Sequence, residues 1–148
     1  KDWSAAVIGD GPERSTAEQT ARDLRIDDRV EFLGDLPLAE RVPVLKGAHV
    51  FAQTAAYEPF AEDLLLALAC GCVGIVEYQA GSSAHELVEG RERHALVTSP
   101  QELAAEIAAA ADAERRAVDE DFAVYDREAV LERYLSTYRD LMDDYGLI

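Results

Sequence analysis

Five short apolar runs alternate with helix-type segments along the chain, and this alternation constrains the fold more than any other feature. The runs cover residues 4–9, 30–34, 49–54, 72–78 and 94–99. Each is followed by a turn that contains glycine or proline, as β-strands commonly are. Because strands that alternate with helices pair in parallel through right-handed crossovers, the pattern predicts a doubly wound, mostly parallel, Rossmann-like α/β sheet.

Six segments with apolar residues at helical spacing lie between and after these runs. One of them, Ala61 to Cys70, is apolar on most sides and is expected to be buried. Pro43 is expected to shorten or kink the helix over residues 38–46. The last helix, from about residue 126 to 145, carries a tyrosine-rich stripe that is expected to pack against the core. The first helix has Ala17, Ala21 and Leu24 on one face, and the second has Leu38, Val42 and Leu45 at similar spacing. Leu103 and Ile107 are expected to face inward in a helix over residues 100–116.

Two helix starts carry the capping-box pattern, in which a serine is followed three residues later by a glutamate. Ser99 and Glu102 form one such pair, and Ser83 and Glu86 form the other, at the start of a short helix over residues 83–89. In residues 111–126 the apolar residues follow neither the helical nor the strand spacing, so this segment is expected to form a loop.

The charge of the chain restricts its partners. With 148 residues it is long enough for one compact domain with its core in residues 1–116, and its formal net charge is −16. Nucleic acid and anionic membrane surfaces are poor partners for such a surface. Only Lys1 and Lys46 are lysines, and the other basic residues are arginines. This composition predicts a protein of a halophile, whereas an acidic surface without salt adaptation is the alternative.

No metal, disulfide or membrane span is predicted. Cys70 and Cys72 are interpreted as small buried side chains of an intracellular, cytoplasmic protein. The histidines at positions 49, 85 and 94 lack metal-ligand spacing, and none is assigned a catalytic role. No apolar run approaches the length of a bilayer span, so no transmembrane segment is expected.

Four turns are the predicted place of a binding site. They are residues 9–13, 34–37, 57–60 and 79–83, each at the end of a predicted strand or shortly after it. Ligands of open α/β sheets bind beyond the carboxyl ends of the strands, where glycines allow close approach and helix N–H groups attract phosphate. The four turns together favour a nucleotide or a phosphorylated ligand. Arg14, just after the first turn, is interpreted as a surface arginine rather than a phosphate ligand.

Glu58 is the carboxylate that this arrangement singles out. Pro59 disfavours helical geometry for the residue before it, so Glu58 is expected to be extended just before the buried helix. A carboxylate there suits hydrogen bonding to the hydroxyls of a sugar, and a cap or surface carboxylate is the alternative. Glu62 and Asp63 are interpreted first as favourable charges at a helix N-terminus.

The ordered motifs resemble one enzyme family. "AVIGDGPE", "RVEFLGDLP", "EPFAEDLLLALACGCVGIV" and "GSSAHELVEG" occur in the order found in the C-terminal, donor-binding half of GT-B glycosyltransferases, family 4 of retaining enzymes. The resemblance covers nearly the whole chain. It implies transfer of a hexose from a UDP- or GDP-linked sugar to an acceptor, without an obligatory metal or other cofactor. It also implies an N-terminal, acceptor-binding domain as partner, and a location in the cytoplasm or at the cytoplasmic face of the membrane through that domain.

The resemblance also implies roles for individual residues. Glu58 corresponds to the glutamate that holds hydroxyls of the transferred sugar and is the implied catalytic residue. Residues 34–36 would border the nucleobase. The implied donor-binding residues are Gly11, Gly34, Leu36, Phe60, Ala61, Glu62, Asp63, Ser82, Ser83 and Glu86.

The chain departs from the family pattern at several positions. Leu66 stands where the family has a ribose-binding glutamate, Ala61 replaces a glycine, and Glu62 and Asp63 add negative charge beside the diphosphate. The strand and helix that carry a basic diphosphate clamp are expected to precede residue 1, so the chain is interpreted as an inactive piece of a longer enzyme. A non-catalytic, glycosyltransferase-like interaction or regulatory module is the alternative. A receiver- or flavodoxin-like domain is a third reading, for which Asp10 alone is a poor match.

Overall fold

The computed structural model describes residues 3–146, and the chain divides into two compact units, residues 1–44 and 45–148. The boundary falls within one helix. In chain order the elements are β1 (Ala5–Ile8), α1 (Arg14–Asp23), β2 (Val30–Gly34), α2 (Leu38–Gly47), β3 (Val50–Gln53), β4 (Tyr57–Glu58), α3 (Glu62–Ala69), β5 (Val73–Glu77), β6 (Gly81–Ser82), a first 3₁₀ helix (Ala84–Leu87), β7 (Ala95–Val97), α4 (Pro100–Ala110), a second 3₁₀ helix (Glu120–Tyr125) and α5 (Arg127–Asp144).

The first unit contains a two-stranded parallel sheet. β1 pairs with β2 from Ala5 opposite Val30 onward, and the register shifts between Val7 and Ile8. α2 runs through Pro43 to Gly47, so of the two expected effects the proline does not shorten the helix. Leu45, in the turn after the proline, is 2% exposed, and its burial stabilises the end of the helix.

The second unit contains a three-stranded parallel sheet in the order β3-β5-β7. β5 is its buried centre, and its side chains alternate between two apolar clusters. Val76 packs with Leu64 and Leu68 of α3, whereas Ile75 packs with Ala110 of α4. Helices therefore cover both faces of the central strand, and the predicted α/β fold with parallel strands is confirmed.

The segment over residues 111–126 is more ordered than the sequence predicts. Its 3₁₀ helix buries Phe122 against the α3 cluster. Asp119 is also buried, with its carboxylate 3.2 Å from Arg116 Nη1 and 3.8 Å from Arg93 Nη1. The burial of Phe122 and this ion-pair group hold the segment against the sheet.

The last two helices differ from their predictions. α4 ends at Ala110 rather than near residue 116, and Ile107 is 40% exposed instead of facing inward. α5 contains no buried residue, so the prediction that its stripe packs in the core is wrong for the described part of the chain. The second 3₁₀ helix is the element that packs most closely against α5, and it is too short to cover the stripe. The exposed stripe consists of Tyr134, Tyr138, Leu141 and Tyr145.

Candidate functional site

The turns after β1 and β2 lie together in the first unit. The Gly9 N–H donates to the Gly34 carbonyl over 2.9 Å, and both glycines have positive φ, +121° and +69°. Gly11 is exposed, and its N–H donates to Asp10 Oδ1 over 2.7 Å. Leu36 is half-buried in the second turn. The structure therefore joins at Gly9 and Gly34 the two turns that contain the predicted donor-binding residues Gly11, Gly34 and Leu36.

Arg14 connects these turns within the first unit. Its Nη2 donates to the Phe32 carbonyl and its Nε to Glu18, both over 2.9 Å, and its Nη1 lies 3.9 Å from Asp10. The pKa of the guanidinium is raised, first by the hydrogen bond to Glu18. The cation is thus neutralised by the protein's own carboxylates.

The turns that contain Glu58 and Ser83 are joined in the second unit. Glu58 lies in β4, opposite Ser82 of β6, and its carbonyl accepts the Ser83 N–H over 2.9 Å. The Ser83 hydroxyl donates to the Pro59 carbonyl over 2.9 Å and lies 3.3 Å from the Glu58 carbonyl. Neither two-residue strand is predicted from the sequence, since such strands are too short to show periodicity. Ser83 therefore fixes the backbone on both sides of the peptide bond that joins Glu58 to Pro59.

The predicted capping box at Ser83 is wrong. The Ser83 side chain makes no cap hydrogen bond, because its hydroxyl is bonded to the 58–59 backbone. The Glu86 N–H bonds instead to the Ser83 carbonyl, in a 3₁₀ turn. Glu86 itself is exposed, and Ser82 is buried with its Oγ accepting from the Ala84 N–H over 3.3 Å.

Glu58 is a half-buried residue, and its carboxylate is unpaired. Within residues 3–146 it makes no hydrogen bond and no ion pair. A carboxylate without a protein partner keeps all its acceptor positions for the hydrogen-bond donors of a ligand. Its extended backbone just before α3 is as the sequence predicts.

The N-terminus of α3, at Glu62, comes shortly after Glu58 in the chain. Ala61 is the N-cap residue and supplies no side-chain hydrogen bond, and the Glu62 N–H donates to the Phe60 carbonyl over 2.9 Å. Glu62 and Asp63 lie in the first turn, where their charges favour the helix, as predicted. Phe60, just before the helix, is 56% exposed, and Ala61 is buried.

Leu66 lies one turn further along α3. It is half-buried and packs against the apolar cluster of Leu45, Ala67 and Cys72. An apolar side chain in this position offers no hydrogen bond to a hydroxyl, which is the departure noted in the sequence.

The three histidines differ in their partners. His49 Nε2 lies 2.8 Å from the Ala110 carbonyl, and His94 Nδ1 accepts the Gly74 N–H over 3.0 Å. The pKa of His94 is lowered to about 4, first by burial and then by Arg93. His85 Nδ1 lies 3.0 Å from the Ser82 carbonyl, on the turn that holds Glu58.

Neither a metal site nor a membrane-spanning helix is found in residues 3–146. No group of three or more His, Cys, Asp or Glu side chains in this range has the arrangement of a metal site. No helix in the same range has both the length and the apolar character needed to cross a bilayer. Two shallow concavities have volumes of about 400 and 390 Å³. The first is lined by residues 4–6 and 27–31 and the second by residues 88–92, 94 and 96, and Glu58 lines neither.

Comparisons with known proteins give a family match, a curated relative and two similar solved structures. Residues 1–126 match the family described as "Glycosyl transferases group 1". Over 69 residues the chain is 33% identical to a phosphatidylinositol N-acetylglucosaminyltransferase subunit from Arabidopsis thaliana, and the match covers 47% of this chain and 15% of that protein.

Two solved structures show the same fold. A lipopolysaccharide outer core galactosyltransferase, WaaB in its apo form, superposes with a TM-score of 0.63 at 22% identity, over 74% of this chain and 31% of that one. Sucrose-phosphate synthase from Thermosynechococcus elongatus superposes with a TM-score of 0.71 at 24% identity, over 94% of this chain and 38% of that one. The chain therefore spans well under half the length of each of these proteins.

Proposed function

This chain belongs to the glycosyl transferases group 1 family, and we propose that it binds the nucleotide-sugar donor of a retaining glycosyltransferase that transfers a hexose. The donor is a UDP- or GDP-linked hexose, and an N-terminal, acceptor-binding domain completes the enzyme. The proposed location is the cytoplasm or the cytoplasmic face of a membrane. The unpaired carboxylate of Glu58, held beside an N-terminus of α3 that the Ala61 side chain does not cap, carries the proposal.

Glu58 binds hydroxyls of the transferred hexose. Its carboxylate accepts without donating, so it pairs with hydroxyl donors and repels phosphate. Two hydrogen bonds from Ser83, to the backbone carbonyls of Glu58 and Pro59, hold the extended backbone that carries this carboxylate. Hydrogen bonds to a charged group contribute about 1.5–3 kcal/mol each, enough to orient the sugar ring.

The N-terminus of α3 binds the diphosphate. Ala61 offers no side-chain oxygen to the first turn of this helix, and the helix dipole adds partial positive charge there. When the glycosidic bond to the phosphate breaks, the negative charge that develops on the leaving oxygen is stabilised by this end of the dipole. Glu62 and Asp63 oppose this effect, so the donor is expected to bind weakly.

A titration followed by NMR tests the proposal on the chain itself. UDP, GDP and their hexose conjugates are added while the backbone amides of residues 61–64 are observed. We expect these amides to shift with the diphosphates and with the conjugates. Glu58→Gln should lower the affinity for the correct conjugate about tenfold, since it weakens charge-assisted bonds, and should leave the diphosphate affinity unchanged.

The matched control is Glu106→Gln, the same change at an exposed position on α4. It should alter neither affinity. If no compound shifts the amides of residues 61–64, or if both variants behave alike, donor binding at Glu58 is refuted.

Leu66 favours a second candidate function, a non-catalytic module that keeps the fold. Its side chain removes the ribose hydrogen bond that the resemblance implies and contributes instead to an apolar cluster. Leu66→Glu separates the two candidates. A donor-binding site should gain affinity for the diphosphates, whereas a non-catalytic module should gain none. The half-buried charge should cost stability in either case.

A further inference from the structure

His85 lies on the same turn as the residues that hold Glu58, and its imidazole orientation is fixed. Its Nδ1 lies 3.0 Å from the Ser82 carbonyl, and Ser82 is the register partner of Glu58. A carbonyl oxygen only accepts, so Nδ1 carries the hydrogen. Nε2 of the neutral ring therefore has a free lone pair.

Tyr78 provides the second contact that orients this ring. The two rings meet edge to face, with centroids 5.2 Å apart and planes at 62°. Tyr78 directly follows β5 and is 49% exposed, so part of its ring faces solvent. Across residues 3–146, no group hydrogen-bonds to His85 Nε2. His85 is thus a half-buried, pre-oriented acceptor beside an exposed aromatic ring.

The other two histidines have different surroundings. His49 Nε2 lies against the Ala110 carbonyl, and His94 Nδ1 accepts the Gly74 N–H. Those bonds serve the packing of α4 and β5. His85 is bonded through Nδ1 to the turn itself, and its Nε2 is left for a ligand.

We propose that His85 is a sugar-contacting residue, with Nε2 accepting a hydrogen bond from a hexose hydroxyl while the Tyr78 ring packs on a C–H face of the sugar. A neutral acceptor nitrogen needs a donor, which a hydroxyl has and an ionised phosphate lacks. An aromatic ring beside a polar acceptor suits a sugar, whose faces are apolar and whose edges are polar. The inference rests on the proposed function, and the hexose belongs either to the donor or to the acceptor molecule.

The first test needs no ligand. Long-range ¹H–¹⁵N NMR of the chain at about pH 8, where imidazoles are neutral, reads the tautomer of each histidine. We expect His85 to carry its hydrogen on Nδ1, and His49 and His94 to carry theirs on Nε2. If His85 is the Nε2–H tautomer, the proposal is overturned.

The second test follows the Nε2 resonance of His85 during titration with UDP or GDP, with their hexose conjugates and with methyl hexosides. A shift with the conjugates but not with methyl hexosides supports a contact to the donor sugar. A shift with methyl hexosides supports a contact to an acceptor sugar. A shift with the diphosphates alone overturns the proposal.

The proposal and the proposed function fail differently. If the amides of residues 61–64 shift with a conjugate and Nε2 of His85 does not, the donor site stands and the inference about His85 is wrong. If neither responds to any compound, both are wrong.

Two substitutions separate a sugar contact from a structural role. His85→Asn keeps a donor for the Ser82 carbonyl and removes the acceptor at Nε2, so the affinity for the hexose compound should fall about threefold to tenfold with the diphosphate affinity unchanged. His85→Gln places an acceptor near the Nε2 position and should recover part of the loss. Equal affinities for the original chain and both variants would exclude the contact.

Discussion

Gly71→Ala is expected to destabilise the second unit through a clash at one backbone position. Gly71 joins α3 to β5 with φ +83°, and a Cβ there would clash with the Arg116 carbonyl oxygen and lie 2.8 Å from the Arg116 carbonyl carbon. The Gly71 carbonyl also accepts from Arg93 Nη1 over 2.9 Å. Alanine in left-handed geometry costs about 1–2 kcal/mol. Displacing a packed backbone costs about 1–3 kcal/mol more.

The sum, about 2–5 kcal/mol, is a large part of the 5–15 kcal/mol that stabilises a typical domain. Urea denaturation followed by circular dichroism measures it as a lower midpoint at an unchanged slope. Gly90→Ala is the matched control in the same unit. Gly90 has φ +73°, but a Cβ there would have no neighbour within 4 Å, so only the conformational cost of about 1–2 kcal/mol applies.

The difference between the two variants isolates the contact with residue 116. Gly71→Ala should lower the free energy of unfolding by at least about 1 kcal/mol more than Gly90→Ala does. Equal losses in the two variants would mean that the 111–119 segment does not press against Gly71, and the packing described above would be refuted.

Three further predictions concern pH, the Ser83 hydroxyl and salt. The pKa of His94 falls from 6.5 to about 4 on folding, so the unfolded chain takes up a proton first and stability should decrease as the pH falls from 6.5 to about 4. The loss is about 1–2 kcal/mol after solvent screening, and His94→Asn should remove this part of the pH profile. Ser83→Ala should cost about 0.5–1.5 kcal/mol in denaturation and weaken hexose binding more than diphosphate binding. With a net charge of −16, the melting temperature should rise between about 0.1 M and 1 M KCl, and an unchanged value would contradict the halophile hypothesis.

Features that depend on neighbours in sequence could be predicted. The Ser99 hydroxyl accepts the Glu102 N–H over 3.2 Å, as the capping pattern predicts, because the partners lie three residues apart. The Glu102 carboxylate, in turn, accepts the Thr98 N–H over 2.7 Å, and this bond lowers its pKa. The buried run of β5 and the apolar α3 could likewise be read directly from residue type, because their burial follows from composition.

Features set by distant partners could not be predicted. The Ser83 hydroxyl has the same local pattern as Ser99, yet it bonds to Pro59, 24 residues away, and the local cap is lost. Phe122 looks like part of a charged loop, but its ring is buried under Arg91, whose guanidinium carbon lies 4.4 Å from the ring centroid. Only the fold brings these partners together.

The candidate site shows the same division. The proline after Glu58 predicts an extended residue at the start of α3, which is a local effect. The orientation of His85 depends on the Ser82 carbonyl and the Tyr78 ring. The position of His85 in the sequence does not predict either contact. A hydrogen-bonding pattern across a turn is needed to detect such an acceptor.

The C-terminal helix differs from the rest of the second unit in how it is stabilised. α5 has 18 residues and buries none of them, and because most helical stability in proteins comes from tertiary packing, this helix is expected to be less stable than the buried elements of the unit. Its amides should therefore exchange with deuterium through local opening well before those of β5, whose four residues Val73–Val76 are buried. Limited proteolysis should likewise remove α5 first and leave the strands intact.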